Sequence, residues 1–221
     1  MSRALIIGAS GGIGTALMAE AERRFGTVTG LSRTRDGLDI TSEASVAATL
    51  ARLTGDYDLI FVATGALQIG GAQPEKALKQ ITETALRDQF AVNAVGPALL
   101  LKHASRLLPR DRRAAFSVLS ARVGSIGDNR LGGWYGYRAA KAAVNQIVHS
   151  AAIELARTHS QAVVAALHPG TVATPFTRDF VSPDKATPPA DAARNLLDVL
   201  DGLTPAQSGG FFDYAGKDIP W

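Results

Sequence analysis

The feature that most constrains this chain is an order of segments. Short, unbroken apolar runs alternate with longer stretches of helical periodicity, and the first run closes in a cluster of glycines. Ala4-Leu5-Ile6-Ile7 passes directly into Gly8-Ala9-Ser10-Gly11-Gly12-Ile13-Gly14, after which residues 15–25 read as a helix. Further strand-like runs lie at 28–31, 59–62, 115–119 and 162–167, and 210–213 predicts a short last strand. Helical patterns fill 42–53, 82–108, 137–158 and 190–200, with Ser42 as an expected N-cap and Gly96-Pro97 as a bend or boundary. Strands that lack polar alternation are buried on both faces, so the pattern predicts a parallel sheet with helices on both sides. The expected architecture is α/β, a single Rossmann-type doubly wound domain over residues 1–221. The proline-bearing stretch 174–189 reads as a substrate loop.

Composition narrows the function. Lys and Arg number 23 against 20 Asp and Glu, a net charge of +3 with no basic block, which argues against a nucleic-acid partner. There are no cysteines, and the four histidines are scattered, so neither a disulfide framework nor a metal site is expected. No apolar stretch reaches membrane-spanning length, and the expectation is a soluble, cytoplasmic protein without membrane partners.

Two motifs carry chemistry. A strand that turns sharply into a helix leaves backbone N–H groups without partners at the positive end of the helix dipole, a setting that suits a pyrophosphate. Glycines at 8, 11, 12 and 14 would let the backbone approach it closely. Tyr137 and Lys141 stand four residues apart, hence on one helical face. A cation there would favour the phenolate, so the spacing predicts a lowered tyrosine pKa and a side chain able to exchange protons near neutral pH.

Together these features resemble the short-chain dehydrogenase/reductase family, along essentially the whole chain. Gly8, Ser10, Gly11, Gly12, Ile13 and Gly14 are similar to its cofactor turn. Asp39-Ile40 resembles its adenine-contacting segment, and Ala63-Thr64-Gly65 stands where the family usually has Asn-Ala-Gly. Asn93 matches its structural and catalytic asparagine, Ser120 ends the strand that carries its serine, and Tyr137 with Lys141 match its catalytic pair. Pro169, Gly170, Val172 and Thr174 fall in a segment like the one that packs on nicotinamide. Within the family, residues 120–133 and the ending 211–221 look most like the C-factor or sniffer-like branch.

The resemblance implies hydride transfer between a nicotinamide cofactor and a carbonyl or alcohol substrate. It casts Tyr137 as general acid or base, Lys141 as its partner, Asn93 as the holder of a water, and Ser120 as a donor to the substrate oxygen. Two departures stand out: Ala63 replaces the usual asparagine, and counting back from Gly124 puts Ala121 where the serine is usual, leaving Ser120 or Ser125 to supply the hydroxyl. Ser32-Arg33, after the second strand, offers a hydroxyl and a guanidinium in place of an acid, which predicts NADP(H) over NAD(H). The alanine-rich helix at 139–156 and the family's habit imply a homodimer or homotetramer. Pocket walls are expected near Gln68, 126–134 and 175–180. A nucleotide-binding sensor that has kept the fold without turnover is the alternative reading.

Overall fold

The computed structural model describes residues 2–177, 181–182 and 185–221. Its centre is a parallel sheet whose strands occur, in chain order, as β1 (Arg3–Ile7), β2 (Thr27–Leu31), β3 (Leu59–Val62), β4 (Ala114–Leu119), β5 (Ala162–His168) and β6 (Phe211–Asp213). Their spatial order is β2-β1-β3-β4-β5-β6, every pair parallel. Among the described residues seven α-helices accompany it: α1 (Gly12–Arg24), α2 (Arg33–Asp36), α3 (Glu43–Ala51), α4 (Glu83–Phe90), α5 (Gly96–Ala104), α6 (Tyr135–Leu155) and α7 (Pro189–Gly202).

The sheet is buried on both sides, as the unbroken apolar runs require. One face packs Leu5, Ile7, Phe116 and Val118 against α3, α5 and α6 through Leu50, Leu100, Val144 and Val148. The opposite face packs Ile6, Phe61 and Val163 against α1 and α7 through Leu17, Leu196 and Leu200. The order reverses between β1 and β3, so the turns leaving those two strands diverge and open a crevice at their C-terminal ends.

Most elements lie where the periodicity puts them. Ser42 caps α3 by accepting from Ser45 N–H. Three differences have physical causes. The predicted helix at 15–25 begins at Gly12, inside the glycine turn, because the chain coils as soon as it leaves β1. The pattern at 82–108 has its boundary at Gly96-Pro97 as expected, but the joint is a π-helical turn, Ala91–Val95, that links α4 to α5 without a loop. Pro97 has no N–H to return to the preceding turn, and the wider turn accommodates the missing donor. The short α2 was not foreseen, and it begins right after Ser32.

The glycine turn is a steric lock. Gly8 has φ +91°, and a Cβ on Gly14 would lie 2.0 Å from the Gly8 carbonyl oxygen. Gly14→Ala gains about 1 kcal/mol of helix propensity, but the clash is between backbone atoms, and overpacking of this kind costs roughly 1–3 kcal/mol or more. The clash therefore wins. Gly14→Ala is expected to lower the Tm of the ligand-free protein by about 5 °C or more, read by thermal unfolding; an unchanged or raised Tm would show that the turn has room.

Candidate active site

The site gathers where β1, β3, β4 and β5 end. On the β1–β3 side, a cleft is lined by Ser10, Gly11, Gly12 and Ile13 from the turn and by Ala63, Thr64 and Gly65 after β3. Gly170, Val172 and Thr174 face them across it. The N-terminus of α1 has no side-chain cap and no acidic residue in its first turn. Its N–H groups and positive dipole end therefore meet an open crevice with nothing neutralising them. Thr64 Oγ1 is buried there without a partner among the described residues. A Cβ on Gly12 would lie 2.6 Å from Thr174 Cγ2, so the glycine lets the two walls approach. These observations fit a dinucleotide pyrophosphate. Gly8 and Gly14 shape the turn from behind, and Pro169 faces the neighbouring pocket instead.

Ser32, Arg33, Asp39 and Ile40 sit beyond this cleft, past the end of β2. Ser32 is buried, its hydroxyl donating to Asp36 Oδ2 and accepting from Arg35 N–H. It caps α2 and so is not the open hydroxyl expected from the sequence. Arg33 stays exposed. The Asp39 carboxylate accepts from Thr41 N–H and Oγ1, which holds it below its ordinary pKa. Ile40 packs under Gly96, where a Cβ would come within 2.9 Å of its Cδ1.

α6 carries Tyr137 and Lys141. Both Tyr137 and Lys141 are buried and line the cleft. Lys141 Nζ donates to the Leu119 carbonyl at 2.8 Å and lies 5.8 Å from the Tyr137 ring centroid. No carboxylate accompanies either group among the described residues. Burial therefore decides both titrations: it pushes the Tyr137 phenol above its ordinary value and brings Lys141 from 10.5 down to about 7. This corrects the expectation from spacing. The lysine does not lower the tyrosine in the ligand-free site, because desolvation outweighs a cation that is itself half discharged at neutral pH.

The asparagine at the π turn is fully buried and clamps the loop after β3. Asn93 Nδ2 donates to Ala66 O and to Gln89 Oε1, each at 2.8 Å, and its Oδ1 accepts from Ala66 N–H at 3.1 Å. Gln89 in turn donates to Leu67 O. This fixes Gly65, whose absent side chain leaves Asn93 and Lys141 close to the backbone.

Beside the cleft lies a second pocket of about 350 Å³, sharing Ser120, Tyr137, Gly170, Phe176 and Thr177 with it. Trp134 and Phe176 pack on the Tyr137 ring at 6.4 and 6.2 Å. Trp134 has φ +52°, the one positive-φ non-glycine residue among those described, and it sits at the start of α6 where such strain accompanies function. Of the expected walls, Asp128, Arg130, Leu131, Trp134, Phe176 and Thr177 line this pocket. Gln68 bonds to Gln73, leaving Leu67 in the lining, and 178–180 lie outside the described residues.

Both candidate serines are accounted for. Ser120 donates to Asn145 Oδ1 at 2.6 Å, and Asn145 Nδ2 is buried without a partner among the described residues. Ser125 faces away, donating to Pro220 O and accepting from Asp128 N–H. Asn145, Glu75 and His168 were not singled out from the sequence. Asn145 stands eight residues after Tyr137, on the same face of α6, a spacing that could have flagged it. Glu75, buried, accepts from Gly136 N–H and so caps the first turn of α6 from sixty-one residues away. His168 ends β5 in the pocket wall, and burial, reinforced by Arg122, brings it down to about 4, so it is neutral at pH 7. Among the described residues no group of His, Asp or Glu could hold a metal ion, and no helix is long and apolar enough to cross a membrane.

Comparison with known proteins agrees with this geometry. The enoyl-(acyl carrier protein) reductase family profile matches residues 14–199. The chain is 38% identical over 148 residues to the C-signal protein of Myxococcus xanthus, covering 66% of this chain and 84% of that one. It is 32% identical over 188 residues to 1-hydroxy-2-glutathionyl-2-methyl-3-butene dehydrogenase of a Rhodococcus species, covering 84% and 79%. A short-chain dehydrogenase/reductase from Burkholderia multivorans solved with bound NADP superposes at TM-score 0.85 with 28% identity, covering 100% and 99%. The Sniffer carbonyl reductase of Drosophila melanogaster shares the fold at TM-score 0.83 with 22% identity, both chains covered in full.

The buried ammonium has a measurable consequence. The unfolded chain keeps a proton on this amine up to about 10.5 and the folded chain only up to about 7, so between those values the unfolded state binds more protons and folding stability rises with pH. Lys141→Met removes the group. The variant is expected to exceed the parent in stability near pH 6–7, with the gap closing by pH 10, read by denaturant unfolding without cofactor. A gap independent of pH would place the ammonium in water.

Proposed function

The chain belongs to the short-chain dehydrogenase/reductase family and is thus an oxidoreductase by kinship; from that premise we propose that it reduces a carbonyl, or oxidises the matching alcohol, with NADP(H), using Tyr137 as the proton donor. The observation that carries this reading is the buried Tyr137–Lys141 pair at the junction of a pyrophosphate-shaped cleft and a separate apolar-walled pocket. Nicotinamide, when bound, supplies or accepts the hydride.

The protein's own part is to position and to move a proton. Tyr137 is neutral at physiological pH and holds its O–H toward the space shared by cleft and pocket, where a developing alkoxide would take the proton. Lys141, titrating near neutrality, replenishes the phenol and holds the cofactor ribose. Asn93 keeps the Gly65 loop in place and orders the water that connects Lys141 to solvent. Ser120 serves as the hydrogen-bond donor to the substrate oxygen. A turn of the Asn145 amide puts its unpartnered Nδ2 on Ser120 Oγ and frees the serine hydrogen for the substrate, since amide orientation follows the hydrogen bonds available. We further propose a homodimer or homotetramer in the cytoplasm, built on the outer faces of α5 and α6, where Ala98, Gln146, Ile147 and Ala151 border a shallow groove.

Tyr137→Phe is expected to cut kcat at least a hundredfold on any carbonyl the parent reduces, while NADPH affinity stays within about twofold. Ser120→Ala should lose about tenfold or more in the same absorbance assay, and Ser125→Ala should not. If intact protein binds NADPH but oxidises it with no carbonyl in a broad panel, the sensor reading replaces this one.

NADP(H) preference rests on Arg33, exposed after β2, because the acid at that strand end, Asp36, is engaged by Ser32 N–H and Oγ. Arg33→Ala is expected to weaken NADPH binding about tenfold and NADH binding hardly at all, by fluorescence titration. Equal losses would assign the preference elsewhere.

A further inference from the structure

The pocket beside Tyr137 has an uneven charge. Its walls are apolar on the Leu67, Trp134 and Phe176 sides, yet among the described residues three arginines, 122, 130 and 138, line it together with a single acid, Asp128. Arg122 is neutralised: it pairs with Asp128 Oδ2 at 2.8 Å and with Asp213 Oδ2 at 3.2 Å. Both acids of this corner are engaged there. Arg130 is exposed and donates only to the carbonyl of its neighbour Asn129. Arg138 is half-buried and donates through Nε to Gly132 and Gly133 O, and through Nη1 to Val123 O. No carboxylate meets either among the described residues. Burial without an acidic partner lowers the pKa of Arg138, the mark of a guanidinium that has given up water for neutral dipoles.

Carbonyl oxygens alone hold a guanidinium that an ion would hold better. A planar fork with donors to spare, at the rim of a pocket with apolar walls, suits a carboxylate. The other titratable groups of the wall among the described residues, His168 and Tyr137, are both neutral at pH 7 and add neither attraction nor repulsion. We propose that this pocket selects carbonyl substrates bearing an anionic group, a carboxylate in the simplest case, held by Arg130 and Arg138 while the apolar walls place the carbonyl against Tyr137. The inference rests on the oxidoreductase reading for its chemistry and on the pocket alone for its charge. Arg138 directly follows Tyr137 on α6, so an anion held there is tied to the same turn of helix as the proton donor.

The test compares oxo acids, with the carboxylate three to six bonds from the carbonyl, against their own methyl esters. The holoenzyme with NADPH is expected to favour the acid by tenfold or more in kcat/KM, with the preference shrinking as salt is raised. Arg130→Gln should bring the acid-to-ester ratio of kcat/KM close to one, read within the variant so that any general loss of turnover cancels, and Ser125→Ala should leave the ratio as in the parent. Arg138→Lys keeps the charge but not the fork and should lose part of the preference. Esters reduced as well as acids by the parent overturn the proposal and leave the oxidoreductase reading intact. If no carbonyl is turned over, calorimetry of oxo acid and ester with the NADPH-loaded protein still decides. Acid binding that is lost in Arg130→Gln upholds the anion site while the catalytic reading falls, and equal or absent binding of both overturns it.

Discussion

A lysine ammonium buried against a backbone carbonyl is the interaction around which the site is organised. Lys141 reaches from α6 to Leu119 O at the end of β4, with no carboxylate to offset its charge among the described residues. A buried cation in that position is costly, and the surrounding structure has to compensate by holding it from every side. Asn93 clamps the Gly65 loop beside it, and Gly124 lets the chain after β4 pass close to the α6 backbone, where a Cβ would lie 2.8 Å from Lys141. Glu75 secures the first turn of α6 by taking its Gly136 N–H. The cost is tolerated because Lys141 is thereby brought near neutrality, where a group can both take up and release a proton.

Cleft and pocket divide the work electrostatically. The cleft presents the uncapped N-terminus of α1 and glycine backbone, a setting that fits a dinucleotide, while the pocket presents aromatic walls and a guanidinium rim. Ser120, Tyr137, Gly170, Phe176 and Thr177 belong to both, so on the proposed reading cofactor and substrate meet along this shared wall. The order of the sheet creates this juxtaposition: reversal between β1 and β3 opens the cleft, and β4 and β5, further along, carry the pocket at their ends.

Local rules were legible in the chain. Apolar runs without alternation announce strands buried on both faces, and a strand followed by glycines announces the turn, because both depend on neighbours a few residues away. The Tyr137–Lys141 spacing and the Ser42 cap belong to the same class, and their positions follow from helix geometry alone. What failed were inferences that need the far side of the molecule. The Ser32 hydroxyl looked open for a phosphate until Asp36 was seen to occupy it. Asn145 and Glu75 had no local motif and acquire meaning only from Ser120 and Gly136, distant in sequence.

The sequence by itself determined the fold class, the glycine turn and the placing of Tyr137 and Lys141 on one face of a helix, because each is written within one element or one turn. Tertiary structure alone decided the ionisation of that pair, the direction of each serine and the charge of the pocket beside Tyr137. Titration depends on how much water the whole surrounding volume excludes, and here exclusion raises the phenol that the adjacent cation was expected to lower. The same non-local accounting leaves Arg130 and Arg138 without acids while Arg122, eight residues before one of them, has two. No periodicity records which charges a folded chain brings together.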